Sequence, residues 1–598
     1  MLLFLWVIPM LASGQVTYYF DASEGDDNHS VNSRETPWQT LRRLNEITFN
    51  PGDSVLLKAG STWEGKINLK GSGIEGYPIT LGSYGNGPWP KIDGSGAEGA
   101  VVTLNNLSYW KLSNLEITNP ASSQGGRIGL LIMGTGGNHG HYHLDSLYIH
   151  DIFGRYSFEM TGKNTGGIGI IGGSDTRFDD ILIENCVISD IVRVGIFTNG
   201  NKGTNEDRPI TNLVIRKNTV SRCAGDGMII RYAHRPLIEH NLATENHNAP
   251  EELVEYGVAI WVRSTYEAVI QYNRVFDTKG RMDGQAFDAD LEAYRTVVQY
   301  NYTRNNEGGF MLVYGSSQDA IIRYNISQND GLLGKHIFDF PIWTSPRGSG
   351  IIHNNMVYIG EEINAVLADE ALATTKFYNN IVINEGDGAL IIRSEGQTAE
   401  FSNNCLTGYD PAITSINKNP VQGDPGLVNP GRGETEFSSL EGYRITPGSP
   451  CLAAGLPVSL MEGSYWFNEE MTDFWGNPVN QESPDVGVHQ LSAPNDIPGN
   501  LSGYPEMIRW EVNPVPFTDG FFLSVDMRIP LELQIKLCDI SGRYINTLYS
   551  GKMTSGNNKL YCNTQGNSGT RIGPGIYFLH LTSPEIPVKE SRMIIHYE

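Results

Sequence analysis

Along the chain, pairs of apolar residues recur in one short pattern: apolar, apolar, two variable positions, Asn, then another apolar residue two or three places on. The copies read ILIENCVI, LVIRKNTV, PLIEHNLA, AVIQYNRV, TVVQYNYT, AIIRYNIS, GIIHNNMV, TKFYNNIV and AEFSNNCL. Their asparagines are Asn185, Asn218, Asn241, Asn273, Asn301, Asn325, Asn355, Asn380 and Asn404, spaced 23 to 33 residues apart. KLSNLEIT at Asn114 and HLDSLYIH at Ser146 are weaker copies. Each copy has the alternation of a short strand, and no segment between copies has the length and period of an amphipathic helix. The pattern predicts a solenoid with three short strands per turn, its turns stacked in parallel about 4.8 Å apart. The asparagines are expected at the bends, where Asn tolerates a left-handed backbone. Their amides would bond from turn to turn as a ladder. Cys186 and Cys405 each follow a repeat Asn, but eight turns, roughly 38 Å, put them beyond disulfide reach.

A solenoid must cap its open core. Residues 16–100 carry YYFDASEGDD, TPWQTLRRLNE, FNPGDSVLLKAGSTWEGKINL and GYPITLGSYGNGPWPKIDGSG. These resemble the N-terminal portion of pectate-lyase-like β-helix enzymes, with TPWQTLRRLNEI as a short helix over the barrel end. TPGSPCLAAG, TDFWGNP and SPDVGVHQ resemble the closing segment of many secreted β-helix proteins. The resemblance spans about residues 16–490. It implies an all-β chain whose body, residues 15–490, is a right-handed parallel β-helix.

The first residues, MLLFLWVIPMLASGQ, are apolar and end in small residues. The run is too short to span a bilayer and reads as a signal peptide, 1–14, cut near Gly14 or Gln15. Residues 491–511 read as a linker. Beyond them Leu531, Leu533, Ile535 and Leu537 alternate on one face, as in a small antiparallel β-sandwich. NPVPF, LCDISGRYI, GPGIYFLHL and SRMIIHYE, in that order, resemble the C-terminal sorting domain of type IX secretion cargo. The resemblance implies that residues 512–598 are an immunoglobulin-like module read by the type IX secretion machinery, and that the protein is secreted or held at the cell surface. A monomer without a membrane span is expected.

The net charge of −24 argues against nucleic acid, whose phosphates call for a basic surface. Aromatic residues make up 10% of the chain, enough to stack on sugars. Six cysteines without a CxxC pair argue against zinc, and Cys538 and Cys562 are close enough in sequence to be bridged within one module.

A β-helix has no pocket of its own, so chemistry is sought on outward side chains of neighbouring turns. In DGQAFDADLEAY, residues 283–294, Asp288 and Asp290 alternate with Phe287 and Ala289. With Phe287 inward, both carboxylates point out, about 6.5–7 Å apart. Such a pair, with Asp283 or Glu307 nearby, suits a general acid and a base or nucleophile for glycoside hydrolysis. Alternatively it holds Ca2+, or is simply a solvated strand edge. Counting back from the repeat asparagines aligns Asp288 with Ile260, so the outward reading requires a one-residue bulge. Adjacent turns offer Trp261 and Arg263, Arg231 with Asp226 and His234, Tyr314, and His336 with Lys335 and Asp339 as substrate contacts. The loop ENHNAPEELVEYG, with His247, Glu251, Glu252 and Glu255, is long enough for a cleft wall. His139, His141 and His143 would share a strand face, where a metal or a hydrogen-bonded set are the alternatives.

Three activities fit. A hydrolase would use the aspartates on a polysaccharide or oligosaccharide. A lyase would use Lys279, Arg231 or Arg263 as base, with Ca2+ or Arg neutralising a uronate. A binding or adhesion protein would use neither. DGQAFDAD resembles a signature in β-helix proteins grouped with glycoside-active enzymes, which favours the hydrolase. Linkage, sugar and endo or exo action are left open.

Overall fold

The computed structural model describes residues 14–596 except 157–162, 205, 250–255, 281, 342–343, 345, 369–374, 391–399, 411–413, 415, 462–470, 492–507, 514–519, 528–530, 540–543, 555, 564–574 and 584–588. The apolar run 1–13, and Glu251, Glu252 and Glu255, thus lie outside the described residues. Among the described residues, no helix is long and apolar enough to cross a membrane. The chain divides into two units at Asn495/Asp496.

The first unit is a right-handed parallel β-helix. Among the described residues, one face is an eleven-stranded parallel sheet in which sequence order is spatial order. Its strands are β1 (Ile67–Asn68), β2 (Gly99–Asn105), β3 (Arg127–Gly134), β4 (Gly166–Gly172), β5 (Val194–Asn199), β6 (Met228–Arg231), β7 (Ile260–Arg263), β8 (Gln285–Asp290), β9 (Gly309–Val313), β10 (His336–Asp339) and β11 (Val366–Ala368). The remaining strands form parallel ladders joined where Trp110–Asn119 and Gly137–Ile152 run through the corner between faces. At the N-terminal end a six-residue helix, Leu41–Glu46, buries Leu41 and Leu44; Thr40 caps it by accepting a hydrogen bond from Arg43 N.

The ladder is present with a shifted register. Asn218, Asn241, Asn273, Asn301, Asn325, Asn355, Asn380 and Asn404 are buried, and the amide of each donates to Oδ1 of the next, ending on Asn417. The left-handed residue is the one before each ladder Asn: Lys217, His240, Tyr272, Tyr300, Tyr324, Asn354, Asn379 and Asn403. Asn185 is therefore the bend residue (φ 54°), and Cys186 takes the ladder place, its N–H donating to Asn218 Oδ1. Cys186 and Cys405 consequently occupy different places in their turns. A second internal row runs through Cys223, Asn246, Thr278, Asn306 and Asp330.

The closing segment does more than end the coil. Lys418 and Val421 add a partial turn by bridging Ser402 and Cys405. The chain then doubles back along the flank, where Gly433 O accepts from Arg304 and Gln328, and Thr472 O from Tyr300. The second unit has two antiparallel sheets, of three and four strands, and its own apolar core of Trp510, Leu523, Leu533, Ile535 and Leu579 among others. Cys538 and Cys562 are buried on separate sheets of this unit.

Candidate active site

The eleven-stranded face positions the aspartates. In it Ile260, Phe287, Met311 and Phe338 are in register and inside the coil. Ile229, Trp261, Asp288, Leu312 and Asp339 form the neighbouring row, and Arg231, Arg263 and Asp290 the row beyond it. Asp288 thus pairs with Trp261, not with Ile260, and the two carboxylates share the outward face. The required extra residue is accommodated between Asp290 and Tyr294: Arg263 pairs with Asp290, whereas three residues later Tyr266 bridges Tyr294, one place further on.

Three carboxylates with different environments result. Asp290 Oδ2 accepts from Arg263 Nη1 at 3.1 Å. Asp288 is buried, and its Oδ1 has no hydrogen-bond partner among the described residues. Burial, then Asp290 and Asp283, push its carboxyl well above the ordinary range. Burial also leaves Asp290 above its ordinary range, with Arg263 and Lys163 offsetting part of the rise. Because Arg263 bonds Asp290 and not Asp288 Oδ1, the pair favours its negative charge on Asp290. Burial, opposed by Lys163 and aided by Asp226, Asp290 and Asp339, pushes Asp283 up to about 7. The site can therefore offer an acid of raised proton affinity, Asp283, just before β8, and a carboxylate bonded to arginine, Asp290, at its end.

This has a consequence for stability. An unfolded Asp titrates near 3.9. Between that value and about 7 the folded chain holds a proton on Asp283 that the unfolded chain lacks. Stability therefore falls as pH rises through that window. Asp283→Asn is expected to flatten this slope in urea midpoints measured from pH 4 to 7, as an Asn cannot titrate.

The other proposed contacts separate. Arg231 is buried, donating through Nε to Thr198 O and through Nη2 to Lys163 O and Asn164 Oδ1, so it supports the site from within. Trp261 is 3% exposed, with Nε1 donating to Asp226 Oδ1 at 2.7 Å and Lys163 Nζ over its ring. It therefore offers no open stacking face. Glu307 accepts from Gly280 N and pairs with Lys279 at 3.5 Å. Tyr314 is half-buried just after β9, and His336 stands 3.6 Å from Asp339 at the start of β10. His234 lies off this sheet, beside Thr211 and Tyr266. His247 Nδ1 pairs with Lys279 O.

His139, His141 and His143 do not share a face, because His141 is left-handed (φ 61°). They meet Gly136 O, Asp180 and Glu184 respectively. Among the described residues, the group that brings three possible ligand atoms within 4.8 Å is His143, Asp145 and Glu184. Arg216 and Asn185 already donate to those carboxylates. Asp283, Asp288 and Asp290 do not bring their ligand atoms together in this way. A shallow cavity of about 410 Å³ bounded by Tyr109, His141, Arg177 and Asp179 lies away from the aspartate row.

The repeat gave no sign of Lys163 or Arg193. Both surround Asp226, Lys163 Nζ at 3.5 Å and Arg193 Nη1 at 2.9 Å, and Val258 N donates to it as well. Burial alone would raise Asp226; Lys163, Arg193, His247 and Trp261 outweigh it and hold the carboxyl below its usual range.

Residues 99–330, which include this whole row apart from Asp339, match the family model for a right-handed β-helix region. The chain is 28% identical to the lacto-N-biosidase of Bifidobacterium longum subsp. longum over 599 aligned residues, covering 80% of this chain and 36% of that protein. It thus spans little more than a third of that relative. Among solved structures it is similar to the GH136 lacto-N-biosidase from Eubacterium ramulus: the selenomethionine derivative is 25% identical with a TM-score of 0.52, covering 63% of this chain and 68% of that one. The native form gives 24% identity, a TM-score of 0.51 and the same coverage.

Proposed function

We propose that this chain is an exported glycoside hydrolase of lacto-N-biosidase type, with Asp283 as general acid and Asp290 as nucleophile or base. The observation that carries the reading is the contrast between two carboxyls of one segment: Asp283, just before β8, is pushed up to about 7, and Asp290, at its end, is bonded to Arg263, which favours its ionised form. A glycosidase needs this pairing of an acid with an anion. The similarity to lacto-N-biosidases over most of the chain supports the substrate class. The lyase reading loses its bases, since Lys279 is paired with Glu307, Arg231 is buried against backbone oxygens and Arg263 holds Asp290.

The test is incubation with a p-nitrophenyl lacto-N-bioside and with a panel of oligosaccharides and polysaccharides. New reducing ends without an ultraviolet-absorbing double bond are expected. An unsaturated product would establish a lyase, and binding without cleavage an adhesin. The activity is expected to fall as pH rises past 7, where Asp283 gives up its proton. Export through the apolar N-terminus and the C-terminal unit belongs to the same proposal. Its check is deletion of residues 512–598, which should leave the protein inside the outer membrane.

A further inference from the structure

Asp226 is a buried carboxylate between two buried cations, Lys163 and Arg193. Lys163 comes from outside the repeat, from the connection between the Gly137–Ile152 strand and β4. Three contacts fix it. Its Nζ stands 3.5 Å from Asp226 Oδ1 and 4.6 Å from the Trp261 ring centroid, and its carbonyl accepts from Arg231 Nη2 at 3.3 Å. The Trp261 indole is itself locked by its bond to the same Asp226 oxygen. Trp261 is in register with Asp288 on the adjacent strand. Adjacent strands lie about 4.8 Å apart, so an ammonium over that ring lies alongside the aspartate row.

We propose that Lys163 is a positioning residue of the site, a clamped positive charge that sets the proton affinity of Asp283, Asp288 and Asp290 without touching substrate. The catalytic consequence rests on the hydrolase reading above; the electrostatic one does not. Among the described residues, the charged and titratable groups around the row include Lys163, Arg263, Asp226 and Asp339, with His336 beside Asp339 and Arg193, Arg231 and His247 behind Asp226. Of the cations, Arg263 bonds Asp290 directly, whereas Lys163, clamped over Trp261 next to Asp288, favours the ionised form of all three aspartates. Trp261 and Arg231 act here as parts of the clamp.

The experiment is an infrared titration of the protonated-carboxyl band of Asp283, identified by its loss in Asp283→Asn, on the full chain. Lys163→Met is expected to raise its midpoint by about one pH unit, the shift typical of losing a nearby opposite charge. Lys163→Arg should restore the original midpoint. Lys163→Gln replaces the Met variant if that fails to fold, and the same rise is expected. A midpoint that stays put in the neutral variants, or an Arg variant that titrates like them, overturns the proposal. Where a glycan is cleaved, both limbs of the pH–rate profile should move up together in Lys163→Met, whereas a merely structural role would lower the rate with the limbs in place. If the band shifts but no glycan is cleaved, the role of Lys163 stands and the hydrolase reading falls.

Discussion

Asp290→Asn is expected to lower kcat by about 10²–10⁴-fold on natural and p-nitrophenyl glycosides alike. The carboxylate anchored by Arg263 has to supply negative charge to the anomeric carbon or to a water whatever group departs. Asp283→Asn should separate the two substrates. An acid is needed when the leaving oxygen is basic, and much less for a p-nitrophenolate, so the loss should be large for the oligosaccharide and small for the nitrophenyl compound. Asp288→Asn should cost least. Burial and repulsion push its carboxyl well above the ordinary range, towards the neutral form, and an amide has the same shape as that form. Steady-state kinetics of the three variants on both substrates decide the assignment. If Asp288→Asn abolishes cleavage and Asp290→Asn spares it, the charge has been placed on the wrong member of the pair.

The outward aspartates were legible because strand parity is simple: Phe287 and Ala289 had to go in, and Asp288 and Asp290 then had to go out. The bulge that makes this compatible with the ladder was deducible from one mismatch in spacing, though not its place between Asp290 and Tyr294. Arg231 shows where parity stops being enough. It is on the right row, but a long side chain can curl back, and its guanidinium caps Thr198 O and the segment at Lys163. Lys163 had no signature, since a loop outside the repeat delivers it to a strand about a hundred residues later. The similarity of the repeat motifs also concealed a difference. Asn is visible at the ladder because only an amide both gives and accepts there. The left-handed place before it varies, from Lys217 and His240 through Tyr272, Tyr300 and Tyr324 to Asn354, Asn379 and Asn403, so it is harder to see in the sequence than the ladder Asn.

That difference gives the largest expected effect on stability. Asn301 Oδ1 accepts from Asn273 N and Nδ2 at 2.8 and 3.1 Å, and its own amide donates to Ile270 O and Asn325 Oδ1. Asn301→Ala removes all of these in a fully buried place. It leaves the Asn273 N–H without the acceptor it uses, and breaks the ladder between two turns. The expected cost is roughly 2–5 kcal/mol, the sum of one or two buried unsatisfied groups and the lost amide bonds. Because each turn of a solenoid rests on its neighbours, the damage should be felt as a lower urea midpoint for the whole first unit. Asn185→Gly is the informative counterpart. In sequence Asn185 is the first copy of the same motif, but in the fold it is exposed and left-handed; its side-chain amide donates to Asp145 and its backbone N–H to Arg216 O. Glycine takes that backbone without strain, so its midpoint should stay close to the parent. Equal losses in the two variants would mean that Asn185 belongs to the ladder after all, and that the register drawn through Cys186 and Asn218 is wrong.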